Sequence, residues 1–288
     1  MVDEILTLLA SFETLLTLVT AGTVLLGSAV VAYLAYRRRS LTGLAALTAC
    51  SLSFGLYVTG GLRLVVLLLT FFAGSTVLTH YRQKDKDPIE SEIHEKKGPR
   101  DTFQVIANGG PALLMGVLTA MTGQAAFLVG SVAALAASNA DTWASELGVL
   151  SRHQPVYILS RRPVARGLSG GVTRLGTLAA LSGGVFIALV YGLLHWSDPA
   201  SGLTLVSDMA VIALAGLVGS TVDSILGETL QARYASARHG QLTEKSAEQG
   251  LANSLQHGLK WLNNDWVNLL SSTIAALAAA GLIALTAH

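Results

Sequence analysis

Two stretches of the chain put carboxylates at the ends of hydrophobic runs. Ser138-Asn139-Ala140-Asp141-Thr142-Trp143-Ala144-Ser145-Glu146-Leu147-Gly148 follows the uncharged run from Ala125 to Ala137. Gly219-Ser220-Thr221-Val222-Asp223-Ser224-Ile225-Leu226-Gly227-Glu228 follows the run from Met209 to Val218. Both contain Asp-[Thr/Ser]-x-x-small-Glu. An aspartate at the centre of a spanning helix costs about 2.5–3.5 kcal/mol to insert, so two matched copies mark a functional site. Hard carboxylate oxygens suit a hard divalent cation. Magnesium takes one or two of them and completes its shell with water and substrate phosphate. On a helix, Asn139, Thr142, Trp143 and Glu146 share one face. Asp141 lies about 140° round from Glu146, so each segment presents its Asp and Glu as two separate edges. Two such segments side by side could surround a metal ion, with Asp141, Glu146, Asp223 and Glu228 as ligands. The competing reading is that these acids pair with arginines from the loops and only fix helix packing.

Other polar groups could serve the same chemistry. Arg100, Gln104 and Asn108 recur every four residues and form a polar stripe entering a hydrophobic segment; an arginine there can hold phosphate through paired hydrogen bonds, although Gln and Asn also serve as glue between helices. The run Arg166-Gly167-Leu168-Ser169-Gly170-Gly171-Val172-Thr173 precedes another apolar segment. Glycines ahead of a helix let backbone N–H groups converge on an anion. No Lys-[Ser/Thr] follows them, so this is not a Walker A loop. Asn264-Asp265-Trp266-Val267-Asn268 opens the last apolar segment and adds Asp265 and Asn268 on one face, with Asp265 also suited to an N-cap. Thr243-Glu244-Lys245 lies in the loop before it. None of the seven histidines pairs at ligand spacing, and the single cysteine, Cys50, excludes an internal disulfide or a cysteine-built metal site. The run Tyr81 to Arg100 mixes both charges and reads as a solvated loop.

The elements that must position these groups are membrane helices. Of 288 residues, 51% are hydrophobic and 13% charged, where soluble domains carry about 25% charged residues. A bilayer core needs about 20 apolar residues in a helix, and eight spans meet that measure: 14–36, 41–59, 61–79, 103–121, 125–147, 172–195, 205–229 and 265–287. Thr59-Gly60-Gly61 and Thr122-Gly123-Gln124 serve as tight joints. The start lacks a basic region followed by a cleavage site and reads as a retained helix. With eight passes, 18 of the 19 Lys and Arg residues fall on one side, Arg63 being the exception. The positive-inside rule makes that side the cytoplasm and puts both termini outside, to which the acidic Asp3, Glu4 and Glu13 add little. Spans five and seven then run in parallel and deliver both acidic segments to the cytoplasmic face, as a duplicated unit would. The expected fold is an all-α, polytopic helical bundle in the cell (inner) membrane. Residues 1–80 form N-terminal spans without a motif, and 81–288 form the motif-bearing core. A net charge of +1 gives no footprint for nucleic acid.

The motifs Arg100-x3-Gln104-Val-Ile-Ala-Asn108-Gly, Ser138-Asn-Ala-Asp141-Thr-Trp-Ala-Ser-Glu146-Leu-Gly, Gly167-x-Ser-Gly-Gly-Val-Thr173, Gly219-Ser-x-x-Asp223-Ser-x-x-Gly-Glu228 and Asn264-Asp265-x2-Asn268 resemble those of the integral-membrane family that includes the plant phytyl-phosphate kinase of tocopherol synthesis. The resemblance runs from about residue 80 to the C-terminus. It implies phosphoryl transfer from a nucleoside triphosphate, CTP first among the choices, to an isoprenyl monophosphate held among membrane lipids. In that scheme Asp141, Glu146, Asp223, Glu228 and Asp265 hold magnesium, with Asp141, Asp223 and Arg100 catalytic. Arg100, Arg166 and the stretch Gly167, Ser169, Gly170 and Gly171 hold phosphates, and Gln104, Asn108, Asn139 and Asn268 orient them. The alternatives are a transporter, whose acids belong near the bilayer midplane, and a lipid-phosphate cytidylyltransferase, which would release pyrophosphate.

Overall fold

In a bilayer every backbone N–H and C=O must be paired internally, so long apolar runs fold as helices. The computed structural model describes residues 2–96, 98–198 and 202–286, with side chains for all of these except 2–14 and Glu90. Lys97, His288 and the side chains of Asp3, Glu4 and Glu13 lie outside the described residues. The helices are α1 (Val2–Arg37), α2 (Gly43–His80), α3 (Gln83–Ile93), α4 (Thr102–Thr122), α5 (Ala125–Gly148), α6 (Arg174–His195), α7 (Gly202–Thr229) and α8 (Asn264–Thr286). Seven of them are long and apolar enough to cross a membrane, with α3 the exception.

The 38-residue α2 is broken at Gly61, where φ is 76° and ψ is −173°. Its contacts give the direction of each limb. Before the break, Leu52 lies against Gly109, Leu113 against Gly55, and Thr59 against Gly116, so this limb runs alongside α4 in the same sense. After it, Leu128 lies at Gly60, Trp143 at Gly74, and Thr79 bonds Glu146 at 2.6 Å, so the second limb follows α5. Helices α4 and α5 are antiparallel, since Ser131 Oγ donates to the Ala112 carbonyl and Ser138 Oγ to that of Asn108. The chain therefore doubles back at Gly61, and the bundle makes the eight passes expected. That φ/ψ pair belongs to a region essentially reserved for glycine, at about 1–3 kcal/mol for other residues. Gly61→Ala should lower unfolding stability in detergent by an amount in that range, read by thermal or denaturant melts.

All the loops carrying basic residues then lie on one face. The exception, Arg63, sits on the other and forms a two-pronged ion pair with Asp198, both bonds 2.6 Å. Half-exposed as it is, this pair adds little stability.

Helix α5 is the hub: it packs against α2, α4, α6, α7 and α8, and every residue from Val129 to Ala140 is buried. Small residues permit this. A Cβ on Gly216 of α7 would stand 2.7 Å from Gly184 Cα of α6 and 3.2 Å from the Ala136 carbonyl of α5. Close backbone approach of this kind is the usual basis of helix association in lipid. It also places α5 and α7 side by side and parallel, as the duplicated motif implies. Helix α1 packs on the first limb of α2 through Ala32 and Ala35 against Leu41, Ala45 and Ala46.

The basic face departs from expectation in one respect. The run after Tyr81 is not simply a solvated loop: it folds as α3, whose Lys86 is fully buried while Ile93 packs on Val164 and Leu168. The remaining loops carry short strands. Strand β1 (Val156–Tyr157) pairs with β2 (Gly171–Val172). Strand β3 (Arg233–Ala235) lies between β4 (Leu242–Thr243) and β7 (Ser254–His257), and β5 (Ala247–Glu248) pairs with β6 (Leu251–Ala252). They cap an otherwise all-α bundle.

Candidate functional site

A cavity of about 620 Å³ runs from the basic face into the bundle. At its polar end Asp141 enters from α5 and Asp223 from α7. Ser220 Oγ donates to Asp141 Oδ1 at 3.4 Å, and Ser271 Oγ of α8 donates to Asp223 Oδ2 at 3.2 Å. The two aspartates thus come from separate helices into one space, because parallel packing of α5 on α7 brings equivalent turns of the two motifs together.

Arg100 lines the same end. Strand-like bonds fix its backbone: its N–H donates to the Ser40 carbonyl and its own carbonyl accepts from Thr42. The guanidinium has no hydrogen-bonded partner among the described residues. Burial pushes its pKa down from the ordinary arginine value, against the attraction of Glu146. Gln104 and Asn108 also face the cavity, but each has a structural duty. Gln104 closes a capping box with Asp101 at the start of α4, and Asn108 Nδ2 donates to the Gln104 carbonyl at 2.9 Å. Asn268 of α8 lines the cavity with its Oδ1 buried and unpaired.

The glycine loop forms one wall. Gly167 and Gly170 adopt φ of 83° and 84°, and a Cβ on Gly170 would meet the Glu228 nitrogen at 2.5 Å. The N–H groups of Leu168 and Gly171 are bonded within the loop, and that of Ser169 donates to Glu244 Oε1 at 2.9 Å. The expected anion nest is therefore not formed by these three N–H groups. What the loop provides is close backbone approach, anchored also by His94 on the Gly167 carbonyl and Gln231 on Ser169 Oγ.

Four predicted residues stand elsewhere. Asn139 is wholly buried between helices and donates to the Gly183 carbonyl at 2.8 Å, as interhelical glue. Glu228 accepts from the N–H groups of Leu159 and Ser160 at 2.8 and 2.9 Å, so it organises the loop and does not face the cavity. Asp265 is ion-paired to Lys96, which also holds Asp101 at 2.6 Å. Burial lowers the Lys96 pKa, but these two carboxylates outweigh it and hold the ammonium above its ordinary value. Arg166 is exposed and donates to the Arg152 carbonyl at 3.0 Å; Arg161 lines the cavity in its place. Glu146 does line the cavity, yet its carboxylate is bound by Thr79 and by Lys86. Glu146 and Asp265 thus pair with lysines and Glu228 with backbone N–H groups, not with the loop arginines of the packing reading, while the aspartate pair meets serine hydroxyls.

Several contributors carried no signal strong enough to single them out. Lys86 is one charge among many in the mixed run from Tyr81 to Arg100. Ser220 and Glu244 belong to residue types too common in loops and helix ends for spacing alone to mark them. Among the described residues no group of three or more His, Cys, Asp or Glu side chains could hold a metal ion. Two aspartates with adjacent hydroxyls still fit magnesium, which draws its remaining ligands from water and phosphate.

Away from the polar end the lining turns apolar, with Val31, Ala32, Leu52, Leu68, Phe71 and Phe72. The molecule is therefore a polytopic helical membrane protein whose bundle holds an amphiphilic cavity, acidic and basic at one face and hydrocarbon-like within. It belongs to the family described as integral membrane protein DUF92, which it matches over residues 26–276. The integral-membrane family read from the motifs is borne out, and the match reaches back through α2 into α1. The chain is similar to Protein PGR of Arabidopsis thaliana, 35% identical over 268 residues covering 85% of this chain and 89% of that protein. It is similar to uncharacterized membrane protein MJ0933 of Methanocaldococcus jannaschii, 27% identical, with 75% and 85% covered. Protein VTE6, chloroplastic, of Arabidopsis thaliana is 25% identical, with 74% of this chain and 56% of that protein covered. No solved structure matches.

Proposed function

We propose that the protein is an isoprenyl monophosphate kinase, transferring the terminal phosphoryl group of a nucleoside triphosphate, CTP first among them, to a phytyl-like monophosphate. The observation that carries this reading is the single cavity in which Asp141, Asp223 and Arg100 stand at one end and aliphatic side chains at the other. An amphiphile with a phosphate head matches both ends. The resemblance to the family of the phytyl-phosphate kinase supports the choice of reaction, and the positive-inside rule puts the polar end at the cytoplasmic face of the cell membrane.

In this reaction an oxygen of the acceptor monophosphate attacks the γ-phosphorus. The bond from that phosphorus to the β–γ bridging oxygen breaks, leaving a nucleoside diphosphate and an isoprenyl diphosphate. Such transfer asks for positioning and charge neutralisation more than for covalent protein chemistry. Asp141 and Asp223 would hold magnesium, which when bound neutralises the clustered phosphate charge. Arg100, a permanent cation with five donors, binds the acceptor phosphate, and Arg161 lies within the same lining for the nucleotide. The Gly167–Gly171 wall packs closely on the end of α7 and shapes this end of the cavity, while Asn108 and Asn268 orient the phosphates. A transporter would carry its acids near the midplane; here they sit in the last turns before the loop face, which favours the enzyme.

The test is direct. Protein purified in detergent is given phytyl or geranylgeranyl monophosphate, magnesium and each nucleoside triphosphate in turn. The expected product is the diphosphate with one equivalent of nucleoside diphosphate. A CDP-lipid with pyrophosphate would make the protein a cytidylyltransferase, and no product with any nucleotide would remove the kinase reading.

A further inference from the structure

The apolar part of the cavity has an architecture of its own. It is walled by α1 and by both limbs of α2, with Val31 and Ala32 on one side and Leu68 and Phe72 on another. It ends where Ser28 Oγ and Ser53 Oγ bond each other at 2.8 Å, both side chains buried. Beyond this pair the two limbs of α2 close on themselves, with Leu56, Leu64 and Leu67 essentially without exposure. Ser53 lies ten residues into α2, so the floor is about 15 Å below the helix start at the loop face. One serine hydroxyl donates to the other, so the floor is small in volume and part of its polarity is taken up within the pair.

We propose that this arm receives the hydrocarbon tail of the lipid monophosphate and that the Ser28–Ser53 floor sets the longest tail admitted. The proposal rests on the lipid-phosphate reading above and goes beyond it in assigning α1 and α2 a part in specificity. The arm is continuous with the space holding Asp141, Asp223 and Arg100, so a tail seated in it leaves its phosphate among them. A hydrocarbon in the arm would contact mostly aliphatic and aromatic carbon, the composition expected of a tail site. Because Ser53 stands against dense packing, added volume there has nowhere to go but upward into the arm.

The experiment uses the full chain in detergent and geranylgeranyl monophosphate with a photoreactive group at the end of its tail. After irradiation, mass spectrometry is expected to find the label on α1 and α2 around Ser28, Leu52, Ser53 and Leu68, and excess unmodified geranylgeranyl monophosphate should suppress it. Label on other helices, or label that does not compete, overturns the proposal. Labelling reports binding and not turnover, so it can succeed where the kinase assay fails, and an active kinase labelled elsewhere sinks only the arm. In parallel, Ser53→Phe should raise the ratio of KM for geranylgeranyl monophosphate to KM for geranyl monophosphate by about tenfold or more, the scale of discrimination in apolar pockets. An unchanged ratio in folded Ser53→Phe overturns the floor assignment. Should that variant fail to fold, the position of the label on the unaltered protein decides.

Discussion

Asp141→Asn and Asp223→Asn, each made singly, are expected to cut diphosphate formation by about 100-fold or more, the scale set by removing one electrostatic group from a reacting centre. Neither should lower the melting temperature in detergent. Asparagine keeps the shape of aspartate and an oxygen that can accept from Ser220 or Ser271, so packing around α5, α7 and α8 persists. What it loses is the charge. A carboxylate that fixed the helices through an ion pair would cost stability when neutralised, whereas one without a cation beside it often costs stability where it sits. The combination of lost turnover with retained stability therefore separates the two readings of these acids. The double variant should be little worse than either single one, because groups holding one ion act as a unit. Full activity in either variant would remove the aspartate pair from the mechanism.

The bundle was legible to the level of passes and of which loops share a face, because those depend on local quantities: apolar length, the Gly60-Gly61 joint and the placement of lysine and arginine. Gly61 carries the break that its neighbours in sequence suggest, and Arg63 fell on the wrong side for a reason now visible in Asp198. The site was legible only in part. Helical geometry separates Asp141 from Glu146 by about 140°, which already says that both cannot point the same way. It does not say which one meets the matching segment of α7, since that depends on how the helix is rotated within the bundle. The rotation is set by close contacts such as Gly216 against Gly184 and Ala136, which no spacing in one helix reveals. The two motif copies then diverge at the glutamate: Glu146 meets Lys86 of α3, while Glu228 meets the backbone of the 151–171 loop. Both partners come from segments whose own sequence is polar and without a periodic apolar stripe, so neither could be matched to its glutamate beforehand.

Lys86→Met should destabilise the protein by about 3–5 kcal/mol, the cost of leaving one member of a buried ion pair alone. The Lys86 side chain is 1% exposed and that of Glu146 15%. Its Nζ donates also to the carbonyls of Leu78 and Thr79 at 2.8 and 2.9 Å. These lie in the last turn of α2, where carbonyls lack intrahelical partners and a cation is favoured by the helix dipole. One ammonium thus joins α3 to the end of α2 and to the acidic segment of α5. Methionine matches the length of the stem but offers none of the three donors. Glu146 would keep its bond from Thr79 and its proximity to Arg100, which alone do not replace a contact ion pair. Adding Glu146→Gln to Lys86→Met removes the stranded charge and should restore most of the loss, leaving about 1 kcal/mol for the lost bonds to the Leu78 and Thr79 carbonyls, the first of which keeps the Tyr81 N–H. Denaturant melts of the single and double variants read both numbers. A loss below about 1 kcal/mol for Lys86→Met would mean that the pair is solvated and that the apolar contacts of Ile89 and Ile93, not the ion pair, hold α3 against the bundle.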